Sequence, residues 1–290
     1  MDKLYLLGYA SGMGGVDPKT AEGPLTIQQS SFIKTPEDYQ WASIIHPRHS
    51  KEFSDVEIVS HSCMELANAV SDLTKKQKSF CVIGGDHTSA IGTFSGVYHA
   101  MQEKGDIGLI WIDAHMDSHT PETSISGRLH GMPLACLMGY GYPSLTGILE
   151  QAPKIKPENL CLIGVRSFEN GESELLERLN VKVYFIEEVQ ERGAAIVLEE
   201  AIKKVSEKTV AYGISLDMDA IDPSESPGVD VPELNGIDGP ELCKAIAKII
   251  RDPKLIAMEI VEFDPSRDRL HKTERLLVSL LDIIRDGKNA

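Results

Sequence analysis

Short apolar runs rich in β-branched residues recur along this chain, separated by helix-length amphipathic stretches, and this alternation constrains the fold more than any other feature. Strands without a polar face must be covered on both sides, which is the situation of parallel strands joined by crossover helices. The candidate strands are Leu4–Tyr9, Phe80–Gly84, Gly108–Asp113, Asn159–Gly164, Lys182–Ile186, Thr209–Leu216 and Lys254–Glu259. Between them, His61–Lys76 sets Cys63, Leu66, Ala67, Val70 and Leu73 at helical spacing, and Thr273–Arg285 does the same with Leu276, Leu277, Leu280 and Ile284. The expected fold class is α/β, a doubly wound, mostly parallel sheet. No internal repeat and no long Pro/Gly/Ser linker divides the chain, so residues 1–290 read as one domain.

Apolar residues make up 42% and charged residues 25%, ordinary for a chain with a sizeable core. The formal charge of -15 would repel phosphate backbones and anionic bilayers, so neither nucleic acid nor membrane is an expected partner. The cysteines Cys63, Cys81, Cys136, Cys161 and Cys243 are odd in number, widely spaced and without a CxxC pair, which argues against a disulfide framework or a zinc knuckle and suits a reducing compartment. Met1 to Leu7 shows no signal-like pattern, and no apolar run approaches the roughly 18 residues of a membrane span, so a cytoplasmic protein is expected.

Three irregular segments, Gly8–Thr26, Ser118–Pro133 and Asp222–Gly239, are rich in Gly and Pro, and the last two follow predicted strand ends. In open α/β sheets ligands bind outside the carboxyl ends of the strands, so the chemistry belongs there. Three strand ends carry metal-ligand residues. Gly84-Gly85-Asp86-His87 follows Phe80-Cys81-Val82-Ile83, with two glycines that allow the backbone to turn tightly. Asp113-Ala114-His115-Met116-Asp117 follows Ile110-Trp111-Ile112; in an extended chain residues two apart share a face, so Asp113, His115 and Asp117 would converge. Ser215-Leu216-Asp217-Met218-Asp219 places two more carboxylates on one face, which repel unless a cation or a shared proton lies between them. A proton-sharing acid pair is the alternative for that segment. Two His and four Asp would balance two dications, and a set this rich in oxygen favours Mn²⁺ over zinc, with Co²⁺ or Ni²⁺ as substitutes.

These three signatures, in order, spacing and placement, resemble those of the arginase (ureohydrolase) family over nearly the whole chain. The resemblance implies a three-layer α/β/α fold, assembled as a trimer or hexamer. It also implies two Mn²⁺ held by His87, Asp113, His115, Asp117, Asp217 and Asp219, with His87, Asp113, Asp117 and Asp217 at one ion or bridging and His115 and Asp219 completing the other. Hydrolysis of a guanidino group by a hydroxide that bridges the metals follows from it. His130, in Ser126-Gly127-Arg128-Leu129-His130-Gly131-Met132-Pro133, would shuttle a proton to the leaving amine, a task suited to an imidazole near neutral pH. Glu262, in Ala257-Met258-Glu259-Ile260-Val261-Glu262-Phe263-Asp264-Pro265, would hold the guanidinium by paired charge-assisted bonds, with Glu259 as the competing position. Asp117 joins His130 and Glu262 in the implied catalytic set.

The loop after Asp117 is closest to arginases, which makes L-arginine, cleaved to L-ornithine and urea, the leading substrate. The amino-acid end would meet His119, Ser126, Arg128 and Glu169, of which only Ser126 agrees with the usual family residue. Arg128 could take a carboxylate directly, which disfavours agmatine and keeps 4-guanidinobutyrate and formiminoglutamate open. Gly228-Val229-Asp230-Val231-Pro232 departs from the Gly/Thr-rich stretch common in the family, with Asp230 adding charge and Val231 lacking a hydroxyl. Two rivals of other classes are weaker. A metal-binding relative without activity would be expected to have lost ligands, and a dinucleotide-binding loop at Gly12-Met13-Gly14-Gly15 fails because Asp17 stands where the last Gly of G-x-G-x-x-G belongs.

Overall fold

The computed structural model describes residues 3–48 and 52–288; the outermost residues of the expected 1–290 domain and residues 49–51 lie outside that description. Its strands are β1 (Leu4–Tyr9), β2 (Tyr39–Ile45), β3 (Phe80–Gly84), β4 (Ile107–Ile112), β5 (Leu160–Val165), β6 (Lys182–Phe185), β7 (Ala211–Asp217) and β8 (Leu255–Val261). All pairings are parallel, in the order β2-β1-β3-β8-β7-β4-β5-β6. The sequence places strands at seven of these positions, with ends shifted by a residue or two. It does not announce β2, whose Tyr-Gln-Trp-Ala-Ser-Ile-Ile run is half exposed because it lies at the sheet edge and pairs with β1 alone.

Alternation along the inner strands explains the three layers. On β3, Phe80 and Val82 face one apolar cluster while Cys81 and Ile83 face another; on β4, Leu109 and Trp111 face the first while Ile110 and Ile112 face the second. Helices Asp55–Lys75 and Ser89–Met101 cover the first face through Cys63, Leu66, Val70, Phe94 and Val97. Helices Ala194–Ser206, Gly239–Ile249 and Lys272–Lys288 cover the second through Val197, Ala201, Leu242, Ile246, Leu277 and Leu281. Both predicted helices are present, and the first begins earlier, at Asp55, because Ser54 and Glu57 form a reciprocal cap there. Among the described residues no helix is long and apolar enough to cross a membrane.

The strand order places β3, β8, β7 and β4 side by side at the centre. Because they are parallel, the segments that follow them emerge at one edge of the sheet. Those are the segments that carry His87, Glu262, Asp217 with Asp219, and Asp113 to Asp117. The turn out of β3 is the tightest junction. Gly85 N–H donates to Tyr9 O and its carbonyl accepts from Glu262 N, each at 2.8 Å, and a Cβ there would collide with the Ser11 carbonyl. Gly85 serves close approach, since its φ is not positive. Gly85→Ala is expected to lower stability by about 2 kcal/mol, roughly 5 °C in thermal midpoint, with backbone on both sides unable to yield. Calorimetry showing an unchanged midpoint would refute that packing argument.

Candidate metal centre

The strand-end motifs converge as two adjoining clusters. In the first, His87 Nδ1 lies 3.2 Å from Asp113 Oδ2, 3.0 Å from Asp117 Oδ2 and 3.2 Å from Asp217 Oδ2. In the second, His115 Nδ1 lies 3.1 Å from Asp219 Oδ2 and 3.5 Å from Asp113 Oδ1. Asp113 therefore turns one oxygen to each cluster. His87 Nδ1 is buried and has no hydrogen-bonding partner, although carboxylate oxygens surround it. A buried ring nitrogen facing three carboxylate oxygens suits a divalent cation, and both groups have the donor types that manganese accepts.

The expected convergence of Asp113, His115 and Asp117 on one point is corrected by the backbone. Asp117 has φ +45°, which turns the chain out of extended geometry and carries its carboxylate to His87, while His115 faces Asp219. Likewise Asp217 and Asp219 do not share one face: the 3-10 turn Met218–Ala220 intervenes, and they belong to different clusters. Buried groups hold these ligands in place. The His87 ring stacks on Trp111 at 4.0 Å with 9° between planes, and Trp111 Nε1 donates to Asp113 Oδ2 at 2.9 Å. On its far side, His87 Nε2 meets Ser215 Oγ at 2.9 Å, and Ser215 donates to Glu259 Oε2 at 3.1 Å. Ser89 and Thr93 donate to the other oxygen of Glu259, so that residue lies beneath His87, away from the cavity described below. A ligating histidine whose second nitrogen is hydrogen-bonded keeps a fixed tautomer and orientation.

Without cations the charges are in tension. Burial pushes the His87 and His115 imidazoles down, but the facing carboxylates outweigh it and hold both well above the ordinary histidine range. Asp117 is pushed up to about 6 by burial and by repulsion from Asp113. Burial, then Asp219 and Asp113, raises Asp217 well above the carboxylate range, whereas for Asp113 the two imidazoles overcome burial and hold it low. Metal ions take only deprotonated ligands, so loading must expel the protons that the raised His87, His115 and Asp217 hold, and also that of Asp117 below about pH 6. Affinity for Mn²⁺ is therefore expected to weaken on acidification. Titration calorimetry in two buffers of different ionisation enthalpy tests this, and a binding heat indifferent to the buffer contradicts it.

Above the clusters opens a cavity of about 310 Å³ whose lining includes His115, Asp117, His119, Ser126, Arg128, His130, Glu169, Asp217, Asp219 and Glu262. Glu262 has φ +63°, a conformation non-glycine residues adopt at some cost. Its Oε1 accepts the His87 backbone N–H at 2.8 Å and lies 3.3 Å from His130 Nδ1, while its Oε2 is buried without a partner. Burial, then repulsion from Asp86, raises the Glu262 carboxyl well above its usual range. At the outer rim, Arg128 Nη1 donates to Gly15 O at 2.7 Å, and His119 Nε2 lies 3.4 Å from Glu169 and 3.5 Å from Glu172. Burial pushes the His119 imidazole down.

All sequence-predicted site residues thus lie in the two clusters or line this cavity. Sequence reasoning missed Glu172 and Glu233. Glu172 reads as a helix cap, and its Oε2 does accept the Glu169 N–H at 2.9 Å. Glu233, 3.7 Å from His115 Nε2, sits in the Asp222–Gly239 loop, and its position there is the one available clue. That loop is gripped by Arg166, whose guanidinium donates to the carbonyls of Gly164, Asp219, Ala220, Glu233 and Leu234.

Known proteins share this architecture. Residues 3–284 match the family described as the Arginase family. The curated arginase of Bacillus caldovelox is 38% identical over 293 residues, covering 97% of each chain. Its native structure at pH 5.6 superposes with a TM-score of 0.90 at 33% identity, covering 98% of both chains. The Entamoeba histolytica arginase in complex with L-ornithine superposes at 0.88 with 27% identity, covering 98% of this chain and 99% of that one. By sequence, fold and the presence of buried His/Asp clusters, the chain belongs to the arginase family of metal-dependent ureohydrolases.

Proposed function

We propose that the chain hydrolyses L-arginine to L-ornithine and urea with two Mn²⁺, acting as one catalytic unit whose sheet draws strands from residue 4 to residue 261. His87, Asp113, Asp117 and Asp217 would hold one ion and His115, Asp113 and Asp219 the other. When bound, the pair supplies Lewis acidity that brings the pKa of a water towards neutrality.

The observation that carries this reading is the orphaned Oε2 of Glu262, buried beside the metal clusters at the cavity wall. A planar guanidinium satisfies it, and a fixed carboxylate holds the reacting carbon in place. His130, in contact with the same carboxylate, is placed to pass a proton to the departing amine. Asp117, which both faces His87 and lines the cavity, orients the attacking water. The amino-acid end falls to the rim, where Arg128 has N–H groups for a carboxylate and Glu169, with His119 and Ser126 nearby, suits an ammonium. The ornithine complex of the Entamoeba histolytica enzyme supports an amino-acid ligand.

The second reading, a ureohydrolase for 4-guanidinobutyrate or formiminoglutamate, is favoured by Arg128, His119 and Val231 at the cavity wall in place of the residues usual in the family, with agmatine ranked below them because it has no carboxylate for Arg128. Release of urea, or of formamide in the case of formiminoglutamate, from Mn²⁺-loaded protein offered each compound separately decides between them. Urea from L-arginine is expected; an inert arginine beside another compound that turns over replaces the first reading by the second.

A further inference from the structure

A third group of ligand atoms lies beside the two clusters. A ring nitrogen of His130 and carboxylate oxygens of Asp230 and Glu262 all fall within 4.8 Å of one another. Asp230 and Glu262 are 3% and 2% exposed, and each has one buried oxygen without a hydrogen bond, Oδ1 and Oε2. None of the three side chains belongs to the clusters around His87 and His115.

The surroundings are anionic. Asp230 Oδ2 accepts from Val16 N at 2.7 Å and Asp17 N at 3.0 Å, and the nearest cation to its Oδ1 is Arg267 Nη2 at 3.7 Å. That guanidinium is shared with Asp264 at 3.1 Å and Asp17 at 3.6 Å, so it leaves most of the charge of Asp230 and Glu262 uncompensated. Asp86, engaged by Gly14 N and Thr88, adds a further carboxylate behind Glu262. Two buried carboxylates in this setting are stabilised by a cation or a proton between them, and an imidazole beside them selects a transition metal over calcium or magnesium.

We propose that His130, Asp230 and Glu262 form a third metal site, which takes Zn²⁺ and, when filled, closes the cavity to a guanidinium. Ligand atoms around a tetrahedral zinc stand about 3.4 Å apart, so closure needs movement of about an ångström, which His130 on its half-buried 3-10 turn can provide. A three-ligand site suits tetrahedral zinc, whereas the oxygen-rich clusters suit manganese, so with Mn²⁺ kept in excess zinc fills the third site. The blocking effect rests on Glu262 being the guanidinium acceptor; the existence of the site does not.

The test uses Mn²⁺-loaded protein dialysed against Zn²⁺ with Mn²⁺ kept in large excess, with bound metals quantified and zinc located by anomalous diffraction. One zinc per chain beyond the metal already bound, between His130, Asp230 and Glu262 and displaced by guanidinium chloride, is the expected result. Asp230→Asn, whose amide oxygen can still accept from Val16 and Asp17, should weaken that zinc by at least about tenfold and leave bound manganese unchanged. His130→Ala, which leaves those loop bonds intact, should do the same and guards against an effect of the first variant on folding. Zinc that only replaces manganese, a zinc peak elsewhere, or unchanged zinc affinity in both variants overturns the proposal. A third zinc that guanidinium does not displace upholds the site and counts against the role of Glu262.

Discussion

Asp113→Asn is expected to empty both metal positions and to lower turnover by at least about 10³-fold, the largest loss from any single isosteric change in this molecule. Among the described residues Asp113 alone presents an oxygen to both His87 and His115. Each of those oxygens also accepts an N–H: Oδ1 from His115 N at 2.7 Å, Oδ2 from Trp111 Nε1 at 2.9 Å. Whichever way an asparagine amide is turned, its NH₂ faces both a donor and a cation position. The substitution thus removes a charge and adds a buried donor clash, a combination worth several kcal/mol. Metal analysis after gel filtration, with chelator-stripped wild type as the reference for folding, is the check. Two bound Mn²⁺ per chain in the variant would refute the bridging role.

Glu262→Gln should leave both metals in place and lower kcat/KM for the guanidino substrate by about 10²- to 10³-fold, the kinetic counterpart of about 3 to 4 kcal/mol. The bond from His87 N fixes the amide orientation, keeping its oxygen at Oε1, so the NH₂ replaces the orphaned Oε2. An acceptor waiting for a cation becomes a donor that repels one. Steady-state kinetics paired with metal analysis separates this from a folding defect; kcat/KM within about threefold of wild type would sink the assignment of Glu262.

What could be read in advance follows from where the ligands sit. His87, Asp113 and Asp217 come directly off buried apolar runs, and a run ending in charge is visible in a linear sequence. The division of ligands between two clusters came from the family resemblance and not from side-chain alternation, because it depends on Asp117 at positive φ and on the turn at Met218–Ala220, neither of which alternation encodes. β2 escaped because an edge strand needs only one buried face and can carry Gln40 and Ser43. Glu172, in the first turn of the helix Asn170–Arg178, and Glu233, in a loop, escaped because their usefulness comes from segments that fold against one another, and sequence spacing has no measure of that distance.

The grip of Arg166 on the loop after β7 has a consequence for changing what this protein acts on. The metal ligands stand at or just beyond the tips of central strands, whereas the outer cavity is built from Val16 and the segments 118–133, 167–172 and 231–233. With His130 kept in the first of these segments, specificity could therefore be transplanted as cassettes on an unaltered hydrolytic base. The exception is the cassette that carries Glu233, since Arg166 fastens it to the same Asp219 carbonyl that steadies a ligand. A redesign there must carry Arg166 along or supply another clasp, because loosening the wall would also loosen the floor.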